Sequence, residues 1–82
     1  MQVGLLWFDS APARGVAAKA TDAARRYREK FGAVPDTCYV NWAALPGDEL
    51  IVPLQTPDNA ALRLRPAMNI RPNHFWIGVE NG

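Results

Sequence analysis

The alternation of apolar and polar positions divides the chain into one helix and several short strands. Apolar residues recur at helical spacing from about residue 13 to residue 31, and charged residues occupy the other positions. Ser10 or Asp9 would cap the start of this helix, and Gly32 followed by Pro35 marks its end. The apolar stripe consists of Val16, Ala20, Ala23, Ala24, Tyr27 and Phe31, and the polar surface of Lys19, Asp22, Arg25, Arg26, Glu29 and Lys30.

Strands are predicted on both sides of this helix. Residues 2–8 are apolar on both faces, which is typical of a central strand that is buried twice. Residues 37–42 form the next strand, with Cys38, Val40 and Trp42 on one face. Strand, helix and strand in this order predict a βαβ unit with two parallel strands and a right-handed crossover. Three further strands are predicted at residues 50–54, 62–65 and 74–79, and Pro53 favours an edge position for the first of them.

These elements predict a single α+β domain over residues 1–82. A βαβ unit is extended by antiparallel strands, and one helix packs on one face of a mixed sheet of four or five strands. The pairs Trp7–Phe8 and Phe75–Trp76 each direct one ring away from the helix. Because a large exposed apolar face normally marks an interface, we expect a homo-oligomer, most simply a dimer, or another protein partner over the open face.

The length, the cysteine content and the apolar runs of the chain together predict where in the cell the protein acts. A chain of 82 residues suffices for one domain with a thin core. Cys38 is the only cysteine, so no intrachain disulfide can form, as is usual in a reducing cytoplasm. The apolar run at residues 3–8 lacks the features of a signal peptide, and no stretch is long enough to span a bilayer. We therefore expect a cytoplasmic protein with no membrane partner.

The net charge of +1 conceals an uneven distribution. Residues 1–31 carry six basic and three acidic groups, residues 32–62 four acidic and no basic groups, and residues 63–82 three basic groups and one acidic group. Basic side chains could therefore form a phosphate-contacting surface for nucleic acid, with aromatic rings for base stacking. The alternative is a solvated helix face paired with the acidic middle of the chain, which the sequence favours. The candidate binding residues are Arg25, Arg26, Arg28, Arg63, Arg65 and Trp76, with Arg71, Trp42 and Phe75 as further members.

Candidate catalytic chemistry is sparse. One histidine and one cysteine cannot complete a zinc site within the chain, and no glycine-rich phosphate loop occurs, so we expect neither metal nor cofactor. Asp9 follows the first strand, where it could act as a base or Mg²⁺ ligand, although capping of the helix is the favoured interpretation. His74 could exchange protons near neutral pH, and a structural role is favoured for it too. A small hydrolase or nuclease that uses Asp9 and His74 is the third hypothesis.

Three segments resemble small, uncharacterised prokaryotic proteins over most of the chain. They are residues 5–9 (LLWFD), residues 27–32 (YREKFG) and residues 72–79 (PNHFWIGV). The resemblance implies a bacterial cytoplasmic origin and carries no activity with it. The sequence as a whole favours a non-enzymatic protein-interaction or assembly module, with a nucleic-acid-binding accessory protein as the alternative.

Overall fold

The described part of the chain is one mixed sheet with a single α-helix on one side. A computed structural model describes residues 3–80. The α+β prediction of one helix on a mixed sheet of four or five strands is confirmed with five strands. In chain order the elements are β1 (Gly4–Phe8), α1 (Val16–Phe31), β2 (Thr37–Asn41), a short 3₁₀ helix (Trp42–Ala44), β3 (Leu50–Pro53), β4 (Ala61–Ala67) and β5 (His74–Gly78).

The strand order across the sheet is β1-β5-β2-β4-β3. β5 lies between β1 and β2 and is antiparallel to both, so the two strands of the βαβ unit run in the same direction without touching. The parallel pair is β2 with β4, and β3 is antiparallel to β4 at the far edge. Pro53 therefore lies in an edge strand, as predicted.

β1 is an edge strand, and the prediction that it is central and buried on both faces was wrong. The final strand of the chain takes the central place instead. Leu5 and Trp7 pack against the core, whereas Leu6 and Phe8 on the opposite face each remain 58% exposed. The predicted first residue of this strand, Gln2, lies outside the described residues.

The core lies between α1 and one face of the sheet. Ala20 and Ala23 of the helix are fully buried, and their small side chains let the helix approach the strands closely. Alternation along each strand supplies the other half of the core. Its buried sheet members are Cys38 and Val40 of β2, Val52 of β3, Leu62 and Leu64 of β4, and Phe75 and Ile77 of β5.

The helix begins later than predicted. Its N-cap is Gly15, which offers no side-chain cap, so neither Ser10 nor Asp9 caps α1. Asp9 Oδ1 instead accepts the N–H of Ala11 at 3.0 Å and stabilises the turn that leaves β1. The predicted end at Gly32 is confirmed: its φ is 71°, and its N–H donates to the carbonyl of Arg28 at 2.9 Å.

Candidate interaction surface

The face of the sheet opposite α1 carries an ordered row of side chains. Leu6 of β1 is in register with Trp76 of β5, Trp76 with Tyr39 of β2, and Tyr39 with Arg65 of β4. Since cross-strand neighbours on one face lie about 5 Å apart, these four residues form one continuous row. We call this side of the sheet the open face.

The β1–β5 end of the open face is apolar and aromatic. Leu6 and Phe8 expose more than half of their surface here. Phe8 packs against His74, with ring centroids 4.9 Å apart, and Trp76 is half-buried beside them. We call Leu6, Phe8, His74 and Trp76 the apolar zone. The prediction that one ring of each aromatic pair points away from the helix is confirmed, and the rings that do so are Phe8 and Trp76.

The β4–β3 end of the open face is charged, and its charges are partly compensated. Arg63 Nε lies 2.7 Å from Glu49 Oε1, which joins a basic residue of the last third of the chain to the acidic middle. Arg65 has no carboxylate partner within residues 3–80. Ile51, at 53% exposure, adds an apolar side chain beside them.

Tyr39 links the two ends of the open face. Its hydroxyl donates to Glu80 Oε2 at 2.7 Å. This hydrogen bond, which is lost when the phenol ionises, raises the pKa of Tyr39, and Arg65 acts in the opposite direction. Tyr39 and Glu80 were absent from the predicted site residues, although the alternation along β2 already placed Tyr39 opposite the core.

The basic residues of α1 do not form an unopposed positive surface. Arg25 pairs with Asp22 at 2.9 Å, and Arg26 approaches Glu29 at 3.7 Å. Asp22 also binds Arg14 at 2.6 Å. Arg28 has no carboxylate within ion-pair distance in the described residues and lies along a cleft between α1 and β3. Within residues 3–80 the carboxylate partners of Arg25 and Arg26 lie in α1 itself, whereas the sequence alternative predicted pairing with the acidic middle of the chain.

Of the proposed stacking aromatics, the structure places only Trp76 on the open face. Phe75 is 3% exposed and belongs to the core. Trp42 does not continue β2 as predicted, because the chain turns into the 3₁₀ helix after Asn41, whose side chain accepts the N–H of Ala43. Trp42 is consequently exposed on that helix and not aligned with Cys38 and Val40.

Asp9 and His74 lie at the same end of the β1–β5 pair but make separate contacts. Asp9 Oδ2 is 3.2 Å from Arg14 Nη1. His74 Nδ1 lies 3.0 Å from the carbonyl oxygen of Pro72, which can only accept, so Nδ1 carries the proton in this contact. No hydrogen bond joins the two side chains in the structure as described for residues 3–80. Each side chain therefore makes its own local contacts, and joint catalysis by Asp9 and His74 stays a prediction.

Lys19 was assigned to the polar surface of the helix, and this was wrong. Its side chain is only 8% exposed. The spacing contains the signal, because Lys19 follows Val16 by three positions and precedes Ala23 by four, within the buried stripe. The prediction was wrong because it assigned Lys19 to the solvent by its charge, although its helical spacing places it in the buried stripe.

Residues 3–80 show no metal-binding cluster and no membrane-spanning helix. That segment contains no cluster of three or more His, Cys, Asp or Glu residues suited to a metal ion. None of its helices combines the length and apolar character needed to cross a membrane. Comparison with protein-family models, curated proteins and solved structures found no significant match to this chain.

Proposed function

We propose that this protein is a non-enzymatic interaction module that self-associates as a twofold dimer through the open face of its sheet. The observation that carries the proposal is the apolar zone, where Leu6 and Phe8 are each 58% exposed beside the half-buried Trp76. Contiguous exposed apolar surface on a small domain is stabilised when another protein surface removes it from water.

A second copy of this chain suits the distribution of side chains on the open face. A twofold axis through the apolar zone brings Leu6, Phe8 and Trp76 of both copies together in the centre of the interface. Arg63 and Arg65 then lie at its periphery, where they remain hydrated. An apolar centre with a polar periphery is the usual arrangement of a protein interface, and an isologous contact closes at two copies.

Sedimentation equilibrium tests this proposal directly. At micromolar concentration we expect a mass twice the 9.0 kDa of the chain. Phe8→Glu and Leu6→Glu should each yield monomers, because a carboxylate in the centre of the interface would lose its hydration. Met68→Glu is the matched control, since Met68 is 88% exposed in the turn after β4 and this variant should remain dimeric. A wild-type chain that folds cooperatively yet remains monomeric at these concentrations would refute the proposal.

Nucleic-acid binding is the second candidate, and the open face supports it better than the helix does. Trp76, Tyr39 and Arg65 are adjacent in one row, which offers two rings for stacking and one cation for a phosphate. Retention of the wild-type protein on heparin, lost with Arg65→Gln and unchanged with Arg26→Gln, would support this function. Absence of retention at low salt would exclude it.

We also infer that the protein acts in a bacterial cytoplasm. The basis is the single, reduced Cys38 together with the resemblance of three segments to small prokaryotic proteins.

A further inference from the structure

A cleft lies between α1 and the segment that follows β3. Its volume is about 420 Å³. The helix contributes Thr21, Ala24, Arg25 and Arg28, which lie on one face of α1 because they are spaced three or four positions apart. The remaining lining residues are 34–35, just before β2, and 53–56, at the end of β3 and after it.

The interior of the cleft is apolar. Ala24 and Leu54, which line it, are 5% and 9% exposed, and Pro35 is also buried. Val34 remains 37% exposed at the same cleft, so part of the apolar lining is in contact with water. The rings of Pro35 and Pro53 add apolar surface without a backbone N–H. An apolar ligand body would therefore be stabilised here by the release of water.

The charged part of the cleft is positive. Within residues 3–80 no aspartate or glutamate lines it, whereas Arg25 and Arg28 do. Arg25 is paired with Asp22 at 2.9 Å, and Arg28 has no carboxylate within ion-pair distance in the part of the chain that the structure describes. The guanidinium of Arg28 is therefore available to an anionic ligand.

Asp58, in the turn before β4, limits how much negative charge such a ligand can carry. Its carboxylate accepts the hydroxyl of Thr56 at 2.8 Å, which lowers the pKa of Asp58, and the charge of Arg28 adds a smaller contribution in the same direction. Asp58 does not reach ion-pair distance of Arg28, so it reduces the positive potential of the cleft without occupying the guanidinium. A ligand with one negative charge fits this balance better than a dianion does.

We infer that this cleft binds a small amphipathic carboxylic acid, with the carboxylate on the guanidinium of Arg28 and the apolar body against the apolar lining. The planar guanidinium matches a carboxylate through two parallel hydrogen bonds. A volume of about 420 Å³ lies within the roughly 300–1,000 Å³ of small-molecule sites. The inference goes beyond self-association and does not depend on it, because no lining residue of this cleft belongs to the apolar zone.

Nuclear magnetic resonance titration with phenylbutyrate tests the inference, because the shifts of backbone amides locate the bound probe along the chain. We expect saturable shifts in residues 21–28 and 54–56. Phenylbutanol has the same apolar body without the charge, and acetate has the charge without the body. Phenylbutanol should bind about tenfold more weakly than the acid, because it forms no charge-assisted hydrogen bonds, and millimolar acetate should cause no saturable shift.

Arg28→Gln is the variant that isolates the role of the charge. It removes the guanidinium and keeps the backbone carbonyl that accepts the N–H of Gly32. We expect this variant to bind phenylbutyrate and phenylbutanol with equal affinity. Arg26→Gln is the matched control, because Arg26 is exposed on the same helix and does not line the cleft, and it should retain the wild-type preference for the acid.

A second variant tests the cleft itself and keeps the test decisive if Arg28→Gln folds poorly. Thr21 is exposed on α1 and lines the cleft, so the ring of Thr21→Phe would occupy part of its volume. We expect this variant to bind the acid and the alcohol several-fold more weakly and to retain the preference for the acid.

The inference would be overturned if phenylbutyrate caused no saturable shifts in the wild type, or if the acid and the alcohol bound the wild type with equal affinity. A preference for the acid that persists in Arg28→Gln would also overturn it, since the carboxylate would then bind elsewhere. Shifts confined to β1 and β5 would show that the probe occupies the apolar zone instead of the cleft.

Discussion

At the scale of single residues, Cys38 shows how burial decides chemistry. It lies in the middle of β2 with no exposed surface, and burial raises the pKa of its thiol to about 12. The thiol is therefore neutral at physiological pH, and the residue acts as a small apolar member of the core. The apolar pattern of β2 predicted this role.

We expect Cys38 to be unreactive towards a disulfide reagent at pH 8 in the native protein. With a pKa of about 12, only about one molecule in ten thousand carries the thiolate at that pH. The absorbance of the thiol released by a chromogenic disulfide reagent, followed with and without denaturant, measures the reaction rate. Rapid reaction of the folded protein would contradict the prediction. The pKa of this thiol is higher in the folded protein than its unfolded value of about 8.5. Its contribution to the free energy of unfolding is therefore fully present below about pH 8.5 and is lost as the pH rises towards 12.

Exposure of the charged residues was partly predictable from sequence. Alternation along β4 correctly placed Arg63 and Arg65 opposite the buried Leu62 and Leu64. The ion-pair partner of Arg63 was not predictable from sequence, because Glu49 approaches it only through the pairing of β3 with β4. Lys19 was missed because residue type was weighted above helical spacing.

At the scale of elements, the end of α1 depends on one backbone conformation. Gly32 adopts a left-handed φ of 71°, in which its N–H can reach the carbonyl of Arg28. A side chain at this position would be strained although the surrounding space is open.

Gly32→Ala should lower the free energy of unfolding by about 1 kcal/mol. Gly47→Ala is the matched control, because Gly47 also lies in open space but does not have a left-handed φ, and it should be neutral or slightly stabilising. Urea denaturation of both variants measures the difference. Equal stability of the two variants would show that the helix end tolerates a different conformation.

β1 is an exception to the rule that a strand with two apolar faces lies in the centre of a sheet. Its two apolar faces resembled those of a doubly buried strand, yet it lies at the edge with Leu6 and Phe8 exposed. Both faces are apolar because one packs on the core and the other belongs to the apolar zone. Periodicity reports that a face is apolar and does not report what covers it.

At the scale of the whole molecule, part of the segregated charge of the sequence becomes local ion pairs. Acidic residues within the helix bind Arg14, Arg25 and Arg26, and the pair of Arg63 with Glu49 links the last third of the chain to its middle. With these pairs and a net charge of +1, electrostatic repulsion between two copies of the chain should be weak.

Self-association through the open face predicts that thermal stability depends on protein concentration. Over a hundredfold range, mass action contributes about 2.7 kcal/mol per dimer, so the Tm of the wild type should rise by several degrees. Phe8→Glu should show a Tm independent of concentration over the same range. Calorimetry of both proteins measures this, and a wild-type Tm that does not change with concentration would argue against a dimer.

The sequence by itself determined the local elements and the alternation of their faces, because hydrophobic periodicity and glycine at the helix end act over a few residues. It therefore specified the α+β class, the core side of β4 and the edge position of Pro53, whereas the two apolar faces of β1 left its core side open. Only the tertiary structure decided which strands are neighbours, because β5, the last strand of the chain, enters between β1 and β2 through long-range pairing. That insertion moves β1 to the edge and aligns Leu6, Trp76, Tyr39 and Arg65. It also brings Asn73 and His74 to the start of α1, where they line a cleft together with Val16 and Lys19.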